Sequence, residues 1–88
     1  MKELKDTIDL MLSNDYGARF VAEYQQTKIR YEKLNATLEK HYAGKLEFKP
    51  DSPVWLLEQQ RDTMRAYLDI LEARSREELI SLEDDDER

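Results

Sequence analysis

Seam positions through the middle of the chain recur at alternating intervals of four and three: Phe20, Tyr24, Thr27, Tyr31, Leu34, Leu38 and His41. That period predicts one long helix over about residues 15–43, packed along a single stripe against a near-antiparallel or coiled-coil neighbour. Leu57, Gln60, Met64, Tyr67 or Leu68, and Leu71 continue the same period and predict a second long helix over about 52–82. Ahead of both, Leu4, Ile8, Met11 and Leu12 share one face of a predicted short helix over about 2–12.

The breaks between these runs carry the local chemistry of helix ends. Ser13, Asn14 and Asp15 offer side-chain oxygens that stop one helix and cap the next. Gly44 stands where a left-handed C-terminal cap is expected. Asp51 or Ser52 is the expected cap of the last helix, with Pro53 in its first turn, where a missing N–H costs nothing. The predicted fold is all-α: an antiparallel hairpin of two long helices, with the short N-terminal helix folded across one end. One helical domain over 1–82 is then followed by an acidic tail at 83–88.

Composition adds a constraint on assembly. A chain of 88 residues has a limited core of its own, so a homo-oligomeric bundle is expected. There is no cysteine, which removes disulfides, thiolate metal sites and a cysteine nucleophile. The N-terminus mixes acids with its apolar residues and does not read as a signal peptide. No run approaches the roughly 20 apolar residues of a membrane span, so a soluble intracellular protein is expected. The net charge of −6 is unevenly distributed: −2 over residues 1–15, +3 over 16–49, −1 over 50–76 and −6 over 77–88. The acidity belongs to the end of the chain, where it reads as a solvated terminus and not as a mimic of nucleic acid.

Catalytic chemistry is hard to assemble from these residues. His41 is the only histidine and closes the seam, where packing or capping suits it better than general-base work. Asp84, Asp85 and Asp86 lack the glycine and spacing of a calcium loop, and no glycine-rich phosphate loop exists. The sequence therefore predicts a protein that is not an enzyme, with no metal and no cofactor. Arg30, Tyr31, Lys33, Lys40, Tyr42, Lys45, Phe48 and Lys49 interleave cations with aromatics, but their charge density is too low for a long nucleic acid. A small anion fits better, since cations and bidentate arginines hold phosphate and aromatic rings stack on a base.

Two charged rows flank the seams: Gln26, Arg30, Lys33, Thr37 and Lys40 on the first long helix, and Glu58, Asp62, Arg65, Asp69 and Glu72 on the second. Opposite signs suit pairing within the hairpin or between subunits, while Lys33 and Arg65 stand out as cations for a ligand. The loop between the helices has two readings. Leu46, Phe48 and Trp55 plug the open end of the hairpin, or Lys45, Phe48, Lys49 and Trp55 form one wall of a pocket that another subunit completes.

The order and spacing of several short motifs resemble a family of small phage and prophage accessory proteins related to a crAss-like phage reading frame. The matching residues are Arg19-Phe20, Ala22-Glu23-Tyr24, Gln26, Arg30, Lys33-Leu34, Gly44, Leu46, Phe48, Pro50, Pro53, Leu56-Leu57, Gln60, Met64, Tyr67-Leu68, Leu71-Glu72, Arg74, Glu78, Ile80 and Leu82. The resemblance covers about Asp15 to Leu82. It implies a phage protein acting in the host cytoplasm against host defence. The favoured expectation is a homo-oligomer that sequesters a nucleotide immune second messenger, a cyclic oligonucleotide or an ADP-ribose derivative, without turning it over. Its candidate ligand contacts are Arg19, Lys28, Arg30, Lys33, Arg61 and Arg65 for phosphates, with Tyr24, Tyr31, Phe48, Trp55 and Tyr67 for bases; Arg74 is a further cation of the same kind. The alternatives are a protein-binding inhibitor of a host defence complex, of the anti-CRISPR type, and a structural helical-bundle module.

Overall fold

The computed structural model describes residues 2–82. A 3-10 turn at Leu4–Thr7 runs into the short helix α1 at Ile8–Met11, followed by α2 at Tyr16–Tyr42 and α3 at Val54–Glu77. No strand occurs among the described residues. The acidic tail expected at 83–88 lies outside them.

Local chemistry sets most of the helix ends. Asp15 is the N-cap of α2, and its Oδ2 accepts the Ala18 N–H at 2.8 Å. Ser13 Oγ in turn accepts the Asp15 N–H at 3.0 Å. At the far end Gly44 has φ 70°. The Lys45 N–H reaches the Lys40 carbonyl at 2.8 Å and the Gly44 N–H that of His41 at 3.0 Å, the paired bonds of a Schellman end.

Helix α3 begins and ends differently from the sequence expectation. Its N-cap is Pro53, at φ −59° and ψ 147° with no side-chain cap, in place of Asp51 or Ser52. Proline biases the residue before it away from helix, so Ser52 stays outside and the Pro53 carbonyl accepts the Leu56 and Leu57 N–H groups. The helix stops at Glu77 instead of extending to Leu82. Leu79 turns left-handed at φ 57°, and the Ile80 N–H returns to the Ser75 carbonyl at 2.8 Å. This is a second Schellman end, built without glycine. It sends Ile80 and Leu82 back onto the core, while Leu79 stays 91% exposed.

The two long helices pack along their seams around Phe20, Tyr24, Leu68 and Leu71, all buried, with Tyr31, Ile80 and Leu82 against them. Leu38 is also buried. Leu68, and not Tyr67, is the seam residue of α3: Gln60 and Tyr67 lie one step around the helix and are exposed, as is His41 on α2.

The N-terminal segment departs most from expectation. It packs on α2 alone and makes no contact with α3, so it does not fold across the end of the hairpin. Its buried residue is Thr7, which is fully covered, whereas Ile8, Met11 and Leu12 of the expected apolar face remain exposed. Polar bonds hold it: Thr7 Oγ1 donates to the Leu4 carbonyl at 2.7 Å and accepts Gln26 Nε2 at 2.9 Å, and Gln26 also reaches Met11 Sδ. Below this segment Ala22 and Ile29 are buried on the second face of α2.

Candidate functional site

A helical hairpin has two long edges, and here they differ chemically. Along one edge Lys28 Nζ lies 5.9 Å from the centroid of the Tyr24 ring. The Tyr24 hydroxyl donates to Glu72 Oε2 at 2.7 Å. Arg65 donates to that same oxygen at 3.2 Å and, through Nε and Nη2, to Asp69 Oδ1 at 3.1 and 2.9 Å. The Arg65 guanidinium carbon stands 5.4 Å from the Tyr31 ring centroid. One helical turn toward the loop, the Tyr42 hydroxyl donates to Glu58 in a short hydrogen bond, Arg61 Nη1 donates to the Tyr42 oxygen at 3.4 Å, and Arg61 Nε to Asp62 at 3.0 Å.

The seam spacing produces this arrangement. Tyr24, Lys28, Tyr31 and Tyr42 recur at three- and four-residue steps or sums of such steps down α2, as Arg61, Arg65, Asp69 and Glu72 do down α3. Antiparallel packing sets the two rows side by side.

The electrostatics of this edge are balanced and exchangeable. Burial pulls the Arg65 pKa down, but Asp69 and Glu72 outweigh it and leave it raised. The Asp62 hydrogen bond raises that of Arg61. The Tyr42 hydroxyl is held protonated by its bond to Glu58, so its pKa is raised as well. Asp62 and Asp69 have side chains 71% and 64% exposed, and ion pairs with so exposed a partner contribute little to stability, while Glu72, the other partner of Arg65, is half-buried. An incoming phosphate can therefore take over a guanidinium from its carboxylate at small cost and form charge-assisted bonds in its place. Of the tyrosine rings beside it, Tyr24 is buried in the core and Tyr31 half-buried, which leaves Tyr42, 55% exposed, as the ring with a face open to a planar base.

The opposite edge is closed on itself. The Tyr67 hydroxyl is hydrogen-bonded to Glu23. The Tyr16 hydroxyl donates to Glu78 Oε1 at 2.6 Å, and Arg74 donates to Glu78 Oε2 at 3.0 Å and to the Tyr16 oxygen at 2.9 Å. The Arg74 guanidinium covers the Phe20 ring at 5.0 Å. Hydrogen bonds from Tyr16 and Arg74 hold the Glu78 carboxyl below its usual range, and the bond to Glu78 raises the Tyr16 pKa.

Five of the residues expected from sequence thus share the first edge: Tyr24, Lys28, Tyr31, Arg61 and Arg65. The others are dispersed. Arg19 donates to the Ser13 carbonyl at 2.9 Å and braces the elbow before α2. Arg30 is exposed two turns along from Glu23, on the closed edge where Tyr67 also lies. Lys33 lines a groove of about 360 Å³ under the N-terminal segment with Lys2, Glu3, Ile29, Glu32 and Ala36. Phe48 and Trp55 are 61% and 64% exposed and do not plug the hairpin. Beside them the loop frames a second groove, about 390 Å³, with His41, Lys49 and Ser52 in its wall.

The two charged rows also resolve differently. The basic row turns toward the N-terminal segment through Gln26 and Lys33, and the acidic row forms its ion pairs within α3 through Arg65. Tyr42, Glu58 and Glu72 join the first edge without having been singled out as ligand contacts. The signal for Tyr42 was its place four residues beyond Leu38, on the seam side of α2.

No helix among the described residues is long and apolar enough to cross a membrane. No group of three or more His, Cys, Asp or Glu among them is placed to hold a metal ion. No curated protein and no solved structure matches the chain. Residues 14–77 match the family model described as Sequestin, and the chain belongs to that family. The matched span takes in both long helices and the loop, and begins after the N-terminal segment.

Proposed function

We propose that this member of the Sequestin family is an accessory protein that binds and withholds a small nucleotide messenger without turning it over. The family's description supports sequestration, and the open edge of the hairpin supports the ligand class. One observation carries the reading. Lys28, Arg61 and Arg65 lie among the rings of Tyr24, Tyr31 and Tyr42 along a single edge, and Asp62 and Asp69, which pair with the two arginines, are exposed enough to be displaced. Cations at that spacing suit the phosphates of a cyclic oligonucleotide or an ADP-ribose derivative, and the exposed Tyr42 face suits a base. In this reading the protein is phage-encoded, acts in the host cytoplasm and keeps an immune signal from its effector. Arg61 and Arg65 hold phosphate, Lys28 adds charge, and the exposed Tyr42 ring stacks on a base, while Tyr24 and Tyr31, buried and half-buried, form the floor of the edge.

Thermal unfolding of the purified chain against a panel of cyclic di- and trinucleotides and ADP-ribose derivatives tests the proposal. A ligand present at a hundredfold excess over its dissociation constant stabilises the folded state by about 2.7 kcal/mol, which reads as a clear rise in Tm. The expected result is a strong response to one class, with the ligand recovered chemically unchanged after the protein is denatured. Recovery of a converted product would make the protein an enzyme and overturn the reading, as would a flat response across the panel.

A further inference from the structure

The side of α3 turned away from α2 carries a stripe that the hairpin itself does not use. Leu56, Gln59, Thr63, Ala66, Ile70 and Ala73 follow one another at intervals of three, four, three, four and three, and all six are exposed. The chain is 39% charged, yet α3 places Glu58, Arg61, Asp62, Arg65, Asp69, Glu72, Arg74 and Arg76 off this stripe, and charge enters it only at Glu77 in the last turn. Ile70 is 57% exposed, Leu56 42%, and Trp55 beside it 64%. A solvated helix face is normally the charged one. An uncharged heptad seam with Ala66 and Ala73 in it is instead a surface that another helix can approach closely.

We infer that this stripe is where a second copy of the chain docks, α3 against α3, in parallel and in register about a two-fold axis. Charge selects the occupant and its direction. In a parallel pair the residues flanking the seam meet five positions apart. Asp69 of one copy then faces Arg74 of the other, and Asp62 faces the Tyr67 of the other, each contact occurring twice by symmetry. Antiparallel packing centred between Thr63 and Ala66 would set Asp62 against Asp69 twice, a like-charge pairing that disfavours it. The groups needed for the parallel contact are open. Arg65 takes only Oδ1 of Asp69, and Arg74 uses Nε and Nη2, leaving Asp69 Oδ2 and Arg74 Nη1 without partners among the described residues. The pairing also brings the closed edge of one copy, with Tyr67 and Arg74, alongside the open edge of the other, with Arg65 and Asp69.

Solution mass and one engineered cysteine test this directly. The full chain is expected to run at twice its 10.5 kDa mass across a dilution series, and Ile70→Glu at the single-chain mass with its helical circular dichroism unchanged. The chain has no cysteine, so Ala73→Cys introduces a single probe. In the parallel pair residue 73 faces its own symmetry mate within disulfide reach, and mild oxidation gives a covalent dimer. In an antiparallel pair it faces residue 56, about 25 Å along the helix from its mate, and no cross-link forms. A wild-type chain that stays at the single-chain mass overturns the inference. So does a dimer that Ile70→Glu leaves intact or that Ala73→Cys fails to lock. Because the readout is mass and cross-linking, failure to bind a nucleotide would leave the pairing standing, and a monomer that binds one would leave the proposed site standing.

Discussion

The two edges of the hairpin start from the same ingredients and finish in different states. Each sets arginine, tyrosine and glutamate beside an aromatic ring: Arg65, Tyr24, Glu72 and Tyr31 on one edge, Arg74, Tyr16, Glu78 and Phe20 on the other. On the second edge Glu78 gives both oxygens and Tyr16 acts as donor and acceptor, so the network closes. On the first, Arg65 is shared between Asp69 and Glu72, Asp69 keeps one oxygen open, and Lys28 adds a further cation over Tyr24. Residue type alone therefore does not distinguish the edges. What differs is that Arg65 has a second, largely exposed partner in Asp69, whereas Arg74 is tied to Glu78 and Tyr16, which are bonded to each other.

Substitutions at the core and at each edge differ in their expected effect. The largest effect should come from the core both edges share. Leu68 is fully buried between the helices, and Leu68→Ala is expected to cost about 2–5 kcal/mol in denaturant unfolding, loosening the edges together. Tyr24→Phe acts on the open edge alone. It removes the hydroxyl that steadies Glu72 and should cost about 1 kcal/mol by the same measurement. At the closed edge's end, Leu79→Gly should stabilise. Leu79 pays for a left-handed backbone while 91% exposed; relief of that strain, less glycine's added freedom in the unfolded chain, leaves a gain of roughly 0.5–1 kcal/mol.

The smallest effect is a pH dependence, to which the closed edge contributes at both ends of the scale and Tyr42 on the open edge at the alkaline end. The Glu78 pKa is lowered by its bonds to Tyr16 and Arg74. Its contribution is therefore present above the ordinary carboxylate range and is lost as pH falls through the lowered value. The Tyr16 pKa is raised by Glu78, so its contribution is present below the ordinary tyrosine range and is lost as pH rises through the raised value. Tm should decline at both ends, and Tyr16→Phe should flatten both slopes, as measured by thermal unfolding across pH.

The hairpin was legible because its signals are local or periodic: Asp15 caps, Gly44 reverses the chain, and Phe20, Tyr24 and Leu71 keep the heptad step. What periodicity does not resolve is one step of rotation. Tyr67 and Leu68 fit the seam equally well as letters, and only packing against α2 decides that Leu68 goes in and Tyr67 lies at the edge. The N-terminal segment misled for a related reason. Its longest apolar row faces water, and it is held instead by Thr7, whose small side chain lets the segment lie close on α2 and bond Gln26. The end of α3 was hidden because its left-handed residue is a leucine and not the glycine that usually announces such a turn. For the candidate contacts, sequence supplied the residue types, while their division between two edges required the register of α2 against α3.

A paired titration of the best nucleotide from the panel into Arg65→Ala and Arg74→Ala distinguishes the two edges as ligand sites. Losing a charge-assisted contact of about 1.5–3 kcal/mol weakens affinity by roughly ten- to more than a hundredfold. That loss is expected for Arg65→Ala, with Arg74→Ala close to wild type. Equal losses in the two variants, or a loss confined to Arg74→Ala, would contradict the assignment of the ligand to the open edge.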